Sequence, residues 1–387
     1  YLAPATFPAA QAAGFWAVLG VSILLKGPIG PLVALLTGVT LVVADRGAAW
    51  LRRLRPLWGL PLMLTVAAPW FIAIGIATEG RFFSEAVGGD MLAKVSSGEE
   101  AHGGPPGYYL LLFFLTAFPA AFLVLRALPA AWRDRMNPRT RFLLAWAAPS
   151  WLMFEAVATK LPHYVMPAFP ALMLLGAAWA MDPLRHPAPR WLARLGIGLL
   201  ALVAVALGIA APLLPWLADQ RIDLVALLAL PAAGLLLWGT LTALRRHGIA
   251  LAGLAATILV VPLYAVVLGG VLPRLTAPWI GPRVAERLAE AASSGQVQGR
   301  FGIVGYHEPS LVFATGADTA LLRDGVAAAE FLAGGAGRIV AVSDRDMTSF
   351  RGALEQRALA VRSLGTVQGY NYTRGRWLTL HMFQGTT

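Results

Sequence analysis

The sequence predicts a polytopic α-helical membrane bundle followed by a small C-terminal α/β domain, and three observations predict it. Of 387 residues, 58% are hydrophobic and only 13% charged, with a mean hydropathy of +0.66, whereas a soluble domain holds roughly 25% charged residues. Nine apolar runs of about bilayer-spanning length occupy 9–25, 28–44, 57–77, 107–125, 142–158, 164–181, 195–217, 224–244 and 249–273. After Pro273 the pattern changes to short alternating strands and helices. The expected domains are thus 1–273, transmembrane, and 274–387, α/β.

Helices apolar on all sides at this length belong in lipid or in a bundle interior. The first two runs are joined at Lys26-Gly27-Pro28, where a lysine at the break favours a tight loop over one kinked helix. The sixth opens with Thr159-Lys160-Leu161-Pro162-His163-Tyr164 and carries Pro167 and Pro170. Glu155, one turn before that loop, is the sole ionisable residue inside any predicted span, which makes it a functional candidate; its plainer reading is a helix-end carboxylate paired with Lys160. The chain opens at Tyr1 with neither Met nor a polar leader, and the expectation is a fragment whose N-terminal part is missing.

Orientation follows from arginine. One set of alternate loops holds Arg46, Arg52, Arg53, Arg55, Arg126, Arg133, Arg135, Arg139, Arg141, Arg185, Arg190, Arg194, Arg245 and Arg246; the other holds only Lys26, Arg81, Lys94, Lys160 and Arg221. The positive-inside rule assigns the first set to the cytoplasm. The loop 78–106, the Thr159–His163 loop and the tail then lie outside. The net charge of +11 needs no nucleic acid to explain it. With no cysteine, disulfides and thiolate metal sites are excluded.

All three lysines of the chain fall on the sparse outer side. A compact ammonium suits phosphate. The long polar interval Thr78–Tyr109 adds Glu79, Arg81, Glu85, Asp90, Glu99, Glu100 and His102, then Gly-Gly-Pro-Pro-Gly and paired tyrosines. So polar a loop in so apolar a chain reads as one wall of a site at the membrane surface. The candidate binding residues are Lys26, Lys94, His102, Tyr108, Tyr109, Lys160, His163 and Tyr164, with Lys160 ahead of Lys94 for a phosphate. The tyrosines divide between an interfacial belt and stacking on a ligand. Usual metal-ligand spacings are absent; His102 with Glu99 or Glu100 leaves a divalent metal open, and a solvated loop is the preferred reading.

In the tail, the pattern gives helices at 282–293, 326–332 and 346–356, strands at 301–304, 338–342, 359–364 and 377–382, and either type at 310–313. Gly302-Ile303-Val304-Gly305 lacks the third glycine and the spacing of a dinucleotide loop. Asn371-Tyr372-Thr373 matches a glycosylation sequon, a pattern common by chance.

Four motifs in order, Leu25-Lys26-Gly27-Pro28, Ala68-Pro69-Trp70, His102-Gly103-Gly104-Pro105-Pro106-Gly107-Tyr108-Tyr109 and Lys160-Leu161-Pro162-His163-Tyr164, resemble the bacterial branch of the dolichyl-phosphate-mannose protein mannosyltransferase family, which includes the aminoarabinose transferase of lipid A. The resemblance covers residues 1 to about 180 well and weakens afterwards; Gly305–Ser310 and Gly369–Tyr372 resemble the extracytoplasmic domain of some members. It implies a GT-C-like integral-membrane glycosyltransferase in the bacterial cytoplasmic membrane, moving a sugar from a polyprenyl-phosphate donor to a lipid or protein acceptor at the outer face. It also implies an acidic residue, often Asp-Glu, in a first outer loop that would lie upstream of Tyr1, with Asp90, Glu99 and Glu100 as substitutes. No cofactor is implied with certainty. Read from the residues themselves, the outer cations would meet a departing phosphate, and the Gly-Gly hinge with Pro-Pro could close over it. Rival readings are a transporter or flippase for a lipid-linked sugar, which needs polar groups near the midplane, and a membrane anchor for a binding domain.

Overall fold

The computed structural model describes residues 1–2, 7–84, 86, 104–182, 184, 186–293, 299–335 and 337–386. It divides into two units: Tyr1–Gly208 with Leu230–Leu263, and Ile209–Ala229 with Tyr264–Thr387.

The helices of the apolar region are α1 (Ala9–Lys26), α2 (Ile29–Asp45), α3 (Pro56–Ala77), α4 (Tyr108–Thr116), α5 (Ala121–Arg133), α6 (Pro138–Ala156), α7 (Phe169–Met181), α8 (Arg190–Asp219), α9 (Ala229–His247) and α10 (Ile249–Tyr264). Among the described residues, five helical stretches are long and apolar enough to cross a membrane: Ala9–Lys26, Pro56–Ala77, Arg190–Asp219, Ala226–His247 and Ile249–Arg274. Ile29–Asp45 and Met166–Met181 are shorter apolar helices. The expected run 107–125 is not one helix. It breaks between α4 and α5 because Pro119 lacks an amide hydrogen and disfavours helical backbone at Phe118. The second piece continues to Arg133, so Arg126, expected in a loop, is a buried helical residue whose guanidinium donates to the Ala193 carbonyl at 3.0 Å.

In the first unit α1 lies on α3, α2 on α6, and α7 on both α5 and α6. Close approach depends on small residues. A Cβ on Gly59 of α3 would collide with the Trp16 indole, whose Nε1 donates to the Leu54 carbonyl at 2.6 Å. A Cβ on Gly176 would come within 3.2 Å of the Val124 backbone nitrogen. Arg141 at the start of α6 ion-pairs with Asp45 at the end of α2, tying those ends together.

The C-terminal region is a five-stranded sheet between helices. Its elements are α11 (Ile280–Ser293), β1 (Phe301–Val304), α12 (Pro309–Thr315), β2 (Ala320–Leu322), α13 (Gly325–Ala333), β3 (Ile339–Ser343), α14 (Met347–Gln356), β4 (Val361–Asn371) and β5 (Arg376–Gly385). The strand order is β2-β1-β3-β5-β4, with β2, β1 and β3 parallel and β5 antiparallel to both β3 and β4. Strands β1 and β3 are buried throughout, so they read as apolar runs, unbroken in β3 up to the closing Ser343. Alternate residues face opposite sides: Phe301, Ile303, Ile339 and Ala341 join Val284 of α11 and Leu311 of α12 in one core, while Val304, Val340 and Val342 join Leu332 of α13 and Phe350 of α14 in the other. Each fully buried side chain of this size contributes about 1.5–3 kcal/mol. The 310–313 segment is helical, and β2 has no counterpart in the sequence reading because three residues give too little periodicity to detect.

Candidate active site

Three of the four sequence motifs converge in the first unit. Helix α1 stops at Lys26 because Gly27 takes a left-handed φ of 61° and Pro28 follows. This leaves Lys26 exposed at a helix C-terminus, where a cation is favoured. Its Nζ lies 3.1 Å from Nε2 of His163, 137 residues along the chain, and 5.7 Å from the centre of the Tyr164 ring. The rings of His163 and Tyr164 meet edge to face at 5.0 Å. An ammonium only donates, so His163 Nε2 is the acceptor and the neutral imidazole keeps its proton on Nδ1. Partial burial, and after it the Lys26 charge, hold the His163 pKa below its ordinary value.

Lys160 has a different environment. It is buried, at 6% exposure, and its Nζ donates to the Glu155 backbone carbonyl at 2.6 Å and lies 3.5 Å from Glu155 Oε1. The same carboxylate oxygen accepts from the Gly107 amide at 2.7 Å. Glu155 therefore ties the end of α6, the Lys160 loop and the glycine-proline turn before α4 together. A Cβ on Gly104 would lie 3.1 Å from Lys160 Cδ and 3.0 Å from the Tyr108 ring, so this glycine lets the turn lie flat on the lysine stem. Glu155 Oε2 and Thr159 Oγ1 are buried with no hydrogen-bond partner among the described residues. Sequence reasoning missed Thr159 and the Gly107 amide; the one signal was their position inside the two motifs.

Tyr109 is corrected. Neither a belt residue nor a stacking surface, it is 0% exposed and packs with Phe154 and Val165. The reason is helix geometry: Tyr108 and Tyr109 are 100° apart on α4, so both cannot face the same way. Tyr108 and Tyr164 are part-exposed. The fourth motif, Ala68-Pro69-Trp70, is elsewhere in contact terms: the Trp70 ring meets Phe82 at 5.3 Å. Asp90, Lys94, Glu99, Glu100 and His102 lie outside the described residues. Among those described, no cluster of three His, Asp or Glu side chains is placed to hold a metal.

In the second unit the sequon asparagine is structural. Asn371 is 4% exposed at the end of β4, and its Oδ1 accepts from the Thr373 hydroxyl at 2.7 Å and the Arg374 amide at 3.2 Å. Glu308 Oε1 lies 2.5 Å from the same hydroxyl. Beside it, burial and the Glu308 charge push the Tyr306 phenol up to about 12. A glycan needs an accessible amide, so the sequon is a chance match.

No family model matches the chain. Over 199 residues it is 32% identical to the undecaprenyl phosphate-alpha-4-amino-4-deoxy-L-arabinose arabinosyl transferase of Aeromonas hydrophila, a match covering 50% of this chain and 36% of that protein. The Pectobacterium atrosepticum transferase of the same name is 33% identical over 124 residues, 31% of this chain and 22% of that one. The crystal structure of ArnT from Cupriavidus metallidurans bound to undecaprenyl phosphate matches with a TM-score of 0.68 at 19% identity, over 96% of this chain and 69% of that chain. The chain resembles these arabinosyl transferases in sequence and has the fold of ArnT. The polytopic bundle with a small α/β domain, expected from composition and pattern, is thereby shown. The chain spans about a third of the length of the curated relatives it matches.

Within this ArnT-like fold the Lys26–His163 contact is open to titration. A ring held neutral beside a lysine should show, by NMR, a His163 midpoint below the ordinary value of about 6.5. Lys26→Met should move it upward by removing the charge, although burial remains. In sign, a depressed histidine pKa favours the fold above the unfolded value, and that contribution fades as pH falls through the folded midpoint.

Proposed function

We propose that the chain forms part of an integral-membrane glycosyltransferase that moves a sugar from a polyprenyl-phosphate donor to a lipid A-like or protein acceptor at the outer face of the bacterial cytoplasmic membrane. The observation that carries the reading is the meeting of Lys26 with His163 and Tyr164, beside the Glu155–Lys160 pair and the Gly107 turn. The named relatives, arabinosyl transferases using an undecaprenyl-phosphate sugar, support it, as does the fold match to ArnT bound to undecaprenyl phosphate.

The roles follow from exposure. Lys26 has its ammonium at the surface and is the leading cation for the donor phosphate; His163 Nδ1–H and the Tyr164 ring flank it. Lys160 is turned into its carboxylate and acts as a positioning residue for the loop. In the reaction an acceptor oxygen attacks the anomeric carbon, the bond from that carbon to the phosphate oxygen breaks, and the electron pair leaves on the polyprenyl phosphate with inversion. A hydroxyl acceptor gives its proton to a carboxylate base. Cations at the leaving phosphate stabilise the charge as it develops. Asp90, Glu99 and Glu100 stay candidates for the base, and Lys94 and His102 for donor contacts. The outer assignment of the loop 78–106 and of the 274–387 domain, periplasmic in this reading, rests on arginine bias.

The function is tested by incubating membranes carrying the full-length protein with radiolabelled polyprenyl-phosphate sugars and following label into lipid and protein fractions. Label entering neither, with donor moving intact across the bilayer, would favour a flippase. Topology is tested on the Cys-free background: His163→Cys should react with an impermeant maleimide in intact spheroplasts, and Arg52→Cys and Arg135→Cys only after permeabilisation. Reaction of position 52 in intact spheroplasts would overturn the orientation.

A further inference from the structure

The second unit carries an aromatic surface beside the end of a candidate membrane span. Trp279 Nε1 donates to the Leu272 carbonyl at 3.0 Å, in the last turn of the apolar stretch Ile249–Arg274. The indole is therefore fixed at the end of a candidate membrane span. Two residues earlier, the Ala277 carbonyl accepts from the Tyr370 amide at 2.8 Å, which ties the β4–β5 hairpin to the same exit. Tyr370 and Tyr372 flank the buried Asn371, and the Tyr370 ring meets Trp377 of β5 at 5.8 Å. Phe313 of α12 is 94% exposed and, with Trp279 and Tyr372, borders a cavity of about 290 Å³. Among the described residues of its lining, Ser310 and Tyr372 supply the side-chain oxygens.

A phenyl ring left in water forgoes the gain of burial, and a contiguous apolar patch of this kind marks an interaction surface. The chemistry of the wall decides the partner. A sugar needs several convergent polar groups, and this wall offers two hydroxyls. Tryptophan and tyrosine with arginine near them in sequence, here Arg374 and Arg274, the latter 3.9 Å from Asp223, are the composition of a membrane–water boundary, and arginine attracts anionic headgroups. If the candidate span ending at Arg274 crosses the bilayer, the bilayer surface lies within a few residues of Trp279.

We propose that Trp279, Phe313 and Tyr372 form a foot by which the C-terminal unit sits in the outer boundary of the bilayer, with Phe313 inserted among lipid chains. The proposal requires a membrane-spanning chain oriented as its arginine bias directs and is independent of the transferase reading. Because the chain has no cysteine, one nitroxide can be attached at Phe313→Cys in the full-length protein reconstituted into phosphatidylethanolamine–phosphatidylglycerol vesicles. Phe313 packs against so little that its loss should leave the fold unchanged. The control is Arg351→Cys on α14, exposed on the opposite face of the sheet from α12. The label at 313 should be several-fold more accessible to oxygen, relative to a water-soluble nickel chelate, than the label at 351. Equal ratios at the two sites would overturn the proposal, as would spin–spin broadening at 313 showing that a second copy covers the patch.

Discussion

Lys26→Ala is expected to lower turnover at limiting donor by about ten- to a hundredfold. The ammonium is exposed and ends a helix, and among the described residues it meets a neutral imidazole and a tyrosine face, neither of which neutralises its charge. A charge-assisted hydrogen bond to phosphate is worth roughly 1.5–3 kcal/mol, and each ~1.4 kcal/mol is about tenfold in rate. Lys26→Arg should recover part of the loss, because the wider fork places its charge elsewhere and cannot keep the Nε2 contact. The thermal midpoint in detergent should hardly move, since the side chain is at the surface. Initial rates against donor concentration check this. A rate within about twofold of wild type would remove Lys26 from the phosphate site.

Lys160 should behave in the opposite manner, through folding first. Lys160→Gln leaves the Glu155 carboxylate facing an amide in a site where the lysine side chain is 5% and the glutamate side chain 18% exposed. Breaking a buried pair costs about 3–5 kcal/mol; the partly open glutamate and its bond from Gly107 put this one below that range. A thermal midpoint lowered by several degrees, with activity falling alongside it, is the expected result. Glu155→Gln alone should also destabilise, because the ammonium then lacks its counter-charge. The double change Glu155→Gln with Lys160→Gln removes both charges, and stability should return. If the pair positions the loop, most activity returns too. If Lys160 itself holds the donor phosphate, the double variant stays as inactive as the single one, and the positioning role is wrong.

Hydrophobicity is additive along a chain, so the membrane class was legible in the sequence, whereas the break of the run 107–125 into two helices was not. Complete burial makes β1 and β3 apolar runs, and these were placed to within a residue. The sequence also held the motifs, because Gly27, Pro28, Gly107 and Pro162 act on their own backbone. Only the tertiary structure decided which motifs meet. Lys26 and His163 are 137 residues apart, and no local rule relates them. Tyr108 and Tyr109 are equivalent in sequence until packing against Phe154 and Val165 buries one of them. The sequence put Lys160 ahead of Lys94 for a phosphate, and the structure parts Lys160 from Lys26, the two lysines it describes. Lys160 is enclosed by a carboxylate, a backbone carbonyl and the flat turn at Gly104, whereas Lys26 keeps its charge at the surface because α1 ends there. Charge is a property of the residue; whether it is available to a ligand depends on what the fold packs around it.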